Sequence, residues 1–177
     1  GCPICEREEE KRLEAEEELR RKEKEREAQI ERYHEMNVEA EYWDKTMDDY
    51  KPIVESQRKA KAAVEKLIAQ KHGKVILLGT NGSGKTHLGT MAVKALGGKV
   101  LTMYEISCMI RQSYSSLAKR TELEIVEELA AIPMLFIDEI ERSKGSKSEM
   151  DWLSYILDKR HTRRLPFMLG TNSHLSK

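Results

Sequence analysis

Gly79-Thr80-Asn81-Gly82-Ser83-Gly84-Lys85-Thr86 is the stretch that decides the fold. It fits G-x-x-x-x-G-K-[ST], and its surroundings fit too: an apolar run, Val75 to Leu78, stands before it and a helical pattern after it. Gly82 and Gly84 let the backbone wrap closely enough for its N–H groups to face phosphate oxygens. A helix starting near Lys85 adds the positive end of its dipole. The Lys85 ammonium then reaches the β- and γ-phosphates as a point charge, and the Thr86 hydroxyl is a ligand for Mg²⁺. Gly79 to His87 are therefore the nucleotide-binding candidates. A Gly-rich turn without function would match the letters, but not the order of strand, loop and helix. His87, just past the loop, reads as packed or solvent-facing.

Working outward, strands are expected over 74–79, 100–104, 134–138 and 167–171. Helices are expected over 54–70, 85–96, 105–117, 122–131 and 147–164, with Gly97-Gly98 closing the second. Strands that are apolar on both faces and alternate with helices imply a three-layer α/β fold with a parallel sheet covered on both sides. The run Met134-Leu135-Phe136-Ile137 ends in Asp138-Glu139. Asp138 suits the Mg²⁺ shell, and Glu139 is placed to polarise a water for attack on a γ-phosphate. Asn172, at the tip of the last strand, suits contact with that phosphate or water, and equally suits a turn in Thr-Asn-Ser.

The 177 residues carry 31 basic and 31 acidic side chains, so net charge points to neither nucleic acid nor membrane. Residues 6–32 alone hold 21 of those charges; between 6 and 27 only Leu13, Ala15 and Leu19 are uncharged. Glu and Lys/Arg recur three and four apart, which supports an exposed helix by roughly 0.2–0.5 kcal/mol per pair. The apolar positions hold no heptad, so a solvated helix or tether is favoured over a coiled coil. The longest apolar runs are too short to span a bilayer, and no signal segment opens the chain. Three cysteines do not make a secreted disulfide framework, which leaves a reducing cytoplasm as the default. The expected layout is a Cys-rich remnant at 1–5, a charged helix or tether at 6–33, a connector packing on the core at 34–52, and the catalytic core at 53–177.

From about Glu39 onward the sequence resembles the DnaC/DnaI/IstB group of AAA+ ATPases, the replicative helicase loaders and their transposition relatives. The features carrying the resemblance are Glu41-Tyr42-Trp43-Asp44-Lys45-Thr46-Met47-Asp48-Asp49-Tyr50, the loop at 79–88, Phe136-Ile137-Asp138-Glu139-Ile140, Asp158-Lys159-Arg160 and Gly170-Thr171-Asn172-Ser173. It implies a P-loop AAA+ core that binds and hydrolyses ATP, with Lys85 and Thr86 as Walker A, Asp138 and Glu139 as Walker B, and Asn172 as sensor I. It also implies a ring or spiral of subunits, contact with a replicative helicase, and contact with single-stranded DNA near Tyr114 and Ser146 to Ser148. The charged stretch behind Cys2-Pro3-Ile4-Cys5 resembles phage-type members, in which a zinc module precedes the ATPase.

The chain departs from that pattern in two places. The family's arginine finger and small C-terminal part lie beyond sensor I, so the sequence reads as a piece of a loader with very low turnover of its own. Cys2 and Cys5 are half of a tetrahedral zinc site, complete only in a longer parent. Arg160, Arg163 and Arg164 read as a basic helix end that suits the dipole, and Cys108 as core. The expected function is ATP-driven delivery of a replicative helicase to single-stranded DNA. A transposition helper ATPase and a non-hydrolysing nucleotide-dependent adaptor are the alternatives; the Cys-x-x-Cys and charged helix favour the loader over the transposition helper.

Overall fold

The computed structural model describes residues 3–142 and 146–172, with side chains from residue 7 onward. Cys2 and the side chain of Cys5 lie outside the described residues, and with them the expected half zinc site.

The loop at 79–84 joins β1 (Lys74–Leu78) to α3 (Lys85–Leu96). The chain then runs through β2 (Gly98–Thr102), α4 (Met103–Gln112), α5 (Glu122–Ala131), β3 (Met134–Asp138), α6 (Lys147–Thr162) and β4 (Phe167–Thr171). Ahead of β1 stand α1 (Pro3–Glu35), two short turns at Ala40–Tyr42 and Met47–Asp49, and α2 (Glu55–Gln70). The four strands form one parallel sheet in the order β1-β4-β3-β2. Side chains alternate along β3: Leu135 and Ile137 join the core under α4, α5 and α6, while Met134 and Phe136 join the core under α2 and α3. That alternation makes the three layers.

The structure differs from the sequence expectation in element boundaries and in burial. The strand expected at 100–104 lies at Gly98–Thr102, and the helix expected at 105–117 lies at Met103–Gln112. Gly97 ends α3 with φ 73°, but Gly98 already pairs with Met134, where a Cβ would meet the Met134 carbonyl oxygen at 1.8 Å. At the other end, Thr102 and Glu105 form a capping box: Glu105 N–H donates to Thr102 Oγ1 (3.2 Å) and Thr102 N–H to Glu105 Oε2 (2.7 Å). The helix stops early because the Ser113 hydroxyl donates to the Ile110 carbonyl at 2.6 Å, in competition with the helical ladder.

The sheet is not covered on both faces throughout. Ile76 and Leu78 on β1 are 56% and 49% exposed, because the layer of α4, α5 and α6 does not extend over that edge. Arg160 does stand in the basic last turn of α6, as the sequence suggests, but it does not face solvent. It is fully buried and its guanidinium donates to the carbonyls of Leu129, Ala130, Ile132, Pro133 and Pro166. It ties α6 to the end of α5 and the starts of β3 and β4. Cys108 is half-buried rather than core, with the Arg111 guanidinium 3.6 Å from its sulfur.

The charged segment forms a single helix along its whole length, with ion pairs such as Arg21–Glu18 (2.5 Å) and Lys22–Glu18 (3.4 Å). Among the described side chains, only those of its C-terminal end meet the body. Arg26 reaches Asp44 at 2.8 Å, Tyr33 is buried, and Lys94 lies 4.9 Å over the Tyr33 ring. Asn37, at φ 58°, ends the helix turn and donates from Nδ2 to the Val100 carbonyl, while Val100 N–H donates to the Met36 carbonyl. These two bonds occupy part of the β2 edge. No helix among the described residues is long and apolar enough to cross a membrane.

Candidate nucleotide site

At the C-terminal ends of the strands, Tyr42, Asn81, Gly82, Gly84, Lys85, Thr86, His87, Asp138, Glu139 and Asn172 line a cavity of about 300 Å³. Gly79, Thr80 and Ser83 line a second cavity of about 270 Å³ on the other side of the loop, together with Lys85 and Tyr50. The fold thus brings the loop, both carboxylates and Asn172 to one place, although Thr86 and Asp138 are 52 residues apart in sequence.

Gly82 and Gly84 hold φ of 77° and 86°, a region that β-carbon-bearing residues rarely adopt. A Cβ on Gly84 would also sit 2.3 Å from the Tyr50 ring. The Lys85 ammonium lies inside the loop, donating to the carbonyls of Gly79 (2.8 Å) and Thr80 (2.9 Å) and to Ser83 Oγ (3.3 Å). Thr86 Oγ1 donates to Asp138 Oδ2 at 2.5 Å. Asp138 is buried, and its other oxygen accepts from the Glu139 N–H at 2.9 Å. A hydroxyl and a carboxylate in contact are hard oxygen donors of the kind Mg²⁺ takes, so the residues present fit a Mg-nucleotide. Glu139 itself sits at φ 53°, a left-handed conformation that costs on the order of 1–3 kcal/mol at a residue with a side chain. Arg142 Nε lies 3.3 Å from its Oε2.

Sequence reasoning missed two groups. Glu141 is the first. Burial raises its carboxyl, but hydrogen bonds from its own backbone N–H, from the backbone and side chain of Asn172 and from the Thr171 side chain outweigh that and hold it below the usual carboxylate range. Its Oε2 is buried without a partner. The third carboxylate in Asp-Glu-Ile-Glu was the available signal. The second is the way the connector wraps the loop. Tyr50 OH donates to the Ser83 carbonyl at 3.3 Å, and the His87 ring lies edge-on to both Tyr42 and Tyr50 at 5.8 Å. His87 Nε2 is 2.9 Å from the Thr46 carbonyl oxygen. Lys94, two turns along α3, donates to the carbonyls of Tyr42, Trp43 and Lys45.

The residues expected to meet nucleic acid lie elsewhere. Tyr114 is exposed beyond α4, and its hydroxyl donates to Glu122 Oε2 at 2.6 Å, which pushes its pKa up to about 12. Ser146 is committed as the cap of α6, where Oγ accepts from Glu149 N–H, and Ser148 is exposed in the first turn of that helix. Glu122 also accepts from Trp152 Nε1, so Tyr114 is tied to the face of α6 rather than to the phosphate loop.

Known proteins similar to this chain bear on its fold and family. The replicative helicase loader DnaC of Escherichia coli (strain K12) is 24% identical over 140 residues, covering 75% of this chain and 57% of the loader. The chain thus spans little more than half the length of that curated relative. Among solved structures, the DnaC helicase loader superposes with a TM-score of 0.63 at 19% identity, over 78% of this chain and 82% of that one. AMPPCP-bound DnaA from Aquifex aeolicus superposes with a TM-score of 0.64 at 19% identity, over 77% and 43%. These likenesses establish the P-loop AAA+ fold. Residues 7–177 match the family described as IstB-like ATP binding protein, and over that span the chain belongs to that family.

Proposed function

We propose that the chain is the ATP-binding and hydrolysing core of a helicase loader, which delivers a replicative helicase to single-stranded DNA. The observation that carries the nucleotide part is the 2.5 Å contact between Thr86 and Asp138, which joins the loop to the acidic strand end. In this reading the N–H groups of 79–84 hold the phosphates and the Lys85 ammonium leaves the loop carbonyls for phosphate oxygens. Thr86 and Asp138 hold Mg²⁺, which when bound supplies positive charge to the developing phosphate oxygens. Glu139 takes the proton of the attacking water. Asn172, held by Glu141, orients that water or the γ-phosphate, and His87 fixes the loop against the connector.

The delivery role rests on the likeness to DnaC loaders, with α1 as the partner-binding extension, Tyr114 and Ser148 as DNA contacts, and assembly into a ring or spiral. The cytoplasm of a bacterial or phage-infected cell follows from that role. Nucleotide titration of Lys85→Ala tests the first part: detectable ATP and ADP binding is lost, and unchanged affinity overturns the assignment. Pull-down of the replicative helicase by the wild-type chain, and its loss when residues 1–24 are removed, tests the second.

A further inference from the structure

At the opposite end of the sheet from the nucleotide site, a further cavity of about 390 Å³ opens between the starts of β1 and β4. His72 lines it from the turn after α2, Lys74 from the first position of β1, and His161 and Arg164 from the end of α6. Most arginines of this chain answer to a carboxylate: Arg12, Arg21, Arg26, Arg58, Arg120, Arg142 and Arg163 all sit in ion pairs. These four side chains do not; among the described residues none has a hydrogen bond or ion pair, and no acid lines the cavity.

Arg160 forms part of the same wall. Its charge is met by carbonyl dipoles alone, with no carboxylate, and its Nε is buried without a partner. Burial, with Arg163 nearby, pulls its pKa down to about 10, which still leaves it charged at neutral pH. A fixed positive charge in a low-dielectric wall raises the affinity of the cavity for an anion. Arg164 carries φ 56° at the end of α6, where glycine would be the relaxed choice.

We infer that this cavity is a second phosphate-binding site, remote from the nucleotide, formed by Lys74, Arg164, His72 and His161 over the buried Arg160. Permanent cations supply the charge, and imidazole N–H groups supply directional donors, the combination that tetrahedral phosphate oxygens accept. The phosphate comes either free, as inorganic phosphate or a small phosphorylated molecule, or from the backbone of a nucleic-acid strand. The inference does not depend on the helicase-loading proposal, since it requires neither hydrolysis nor a helicase.

The test is proton NMR of the histidine ring resonances of the whole chain. Sodium phosphate is titrated in one arm and a single-stranded oligothymidine in the other. His72 and His161 shift saturably, and the apparent affinity weakens about 10-fold or more in Lys74→Ala/Arg164→Ala. A Lys74→Arg/Arg164→Lys exchange, which keeps both charges, retains it. A response to phosphate alone assigns a small ligand. A response to oligothymidine, weaker with salt and with a shallower salt slope in the alanine variant, assigns a strand. Absence of any shift in His72 and His161 overturns the site, as do equal shifts in the alanine variant. Preference for a polyglutamate peptide over both probes overturns the phosphate assignment. Binding of a fluorescent ATP analogue, followed in parallel, reports on the nucleotide site separately.

Discussion

Glu139 and Glu141 stand two residues apart and have different jobs. Glu139→Gln retains ATP binding while turnover falls roughly 10²–10⁴-fold, because an amide cannot take the proton; steady-state phosphate release beside a binding titration checks it. Glu141→Ala frees Asn172 from the carboxylate that holds it. It lowers kcat and leaves nucleotide affinity near wild type, and a loss confined to affinity would contradict the role. The Glu122 carboxylate, by accepting from its hydroxyl, holds Tyr114 protonated beyond the ordinary tyrosine range. Its raised pKa means the Glu122 bond contributes below about 10 and disappears as pH climbs towards about 12. Ultraviolet titration of Tyr114→Phe should lose a tyrosinate that forms at about pH 12 in the wild type. The phosphate loop and the two carboxylates were legible because their chemistry is written in consecutive letters beside an apolar strand. Glu141, Tyr50 and Lys94 were not, because each acts on residues that only the folded chain brings near: Tyr50 meets Ser83 across 33 positions and Lys94 meets Trp43 across 51.

The strand–helix alternation that defines the sheet was readable from periodicity, yet β2 and α4 start two residues earlier than the pattern suggests and α4 ends five residues earlier. Hydrophobic spacing locates an element; its ends are set by close contacts and caps. Gly98 reads as a helix terminator, but it is the residue that permits β2 to approach Met134. Gly98→Val is expected to destabilise the protein by more than about 2 kcal/mol, since a side chain there meets backbone that cannot give way. Gly89→Val faces the Phe136 ring instead, at 2.3 Å. A ring can shift, so that cost is smaller, on the order of 1–3 kcal/mol. Urea denaturation of both variants ranks them. Arg160 escaped the sequence reading for a related reason, being one of several basic residues near a helix end and yet buried at the junction of α5, α6, β3 and β4. Arg160→Met removes the donors for five carbonyls and is expected to cost about 3 kcal/mol or more, with urea unfolding as the measure.

At the scale of the molecule, the body and the charged helix are stabilised differently. The body has two apolar layers astride the sheet; among the described residues, α1 beyond its last turns has only its own ion pairs, each worth little in water. Removing residues 1–24 should therefore move the melting temperature by less than about 2 °C. Removal through Tyr33 should lower it clearly, because that cut takes a buried ring and its contact with Lys94. Calorimetry on the two truncations separates the cases. The docking of α1 has a mechanical consequence. From Pro3 to Glu25 the helix extends roughly 35 Å past Arg26, its hold on the connector. A tilt of about 10° at that fulcrum would sweep the far end through about 6 Å. Lys94 braces the fulcrum from α3, the same helix whose first residues carry Lys85 and Thr86, so a sub-ångström adjustment at the loop would be magnified at the tip of a long stiff arm.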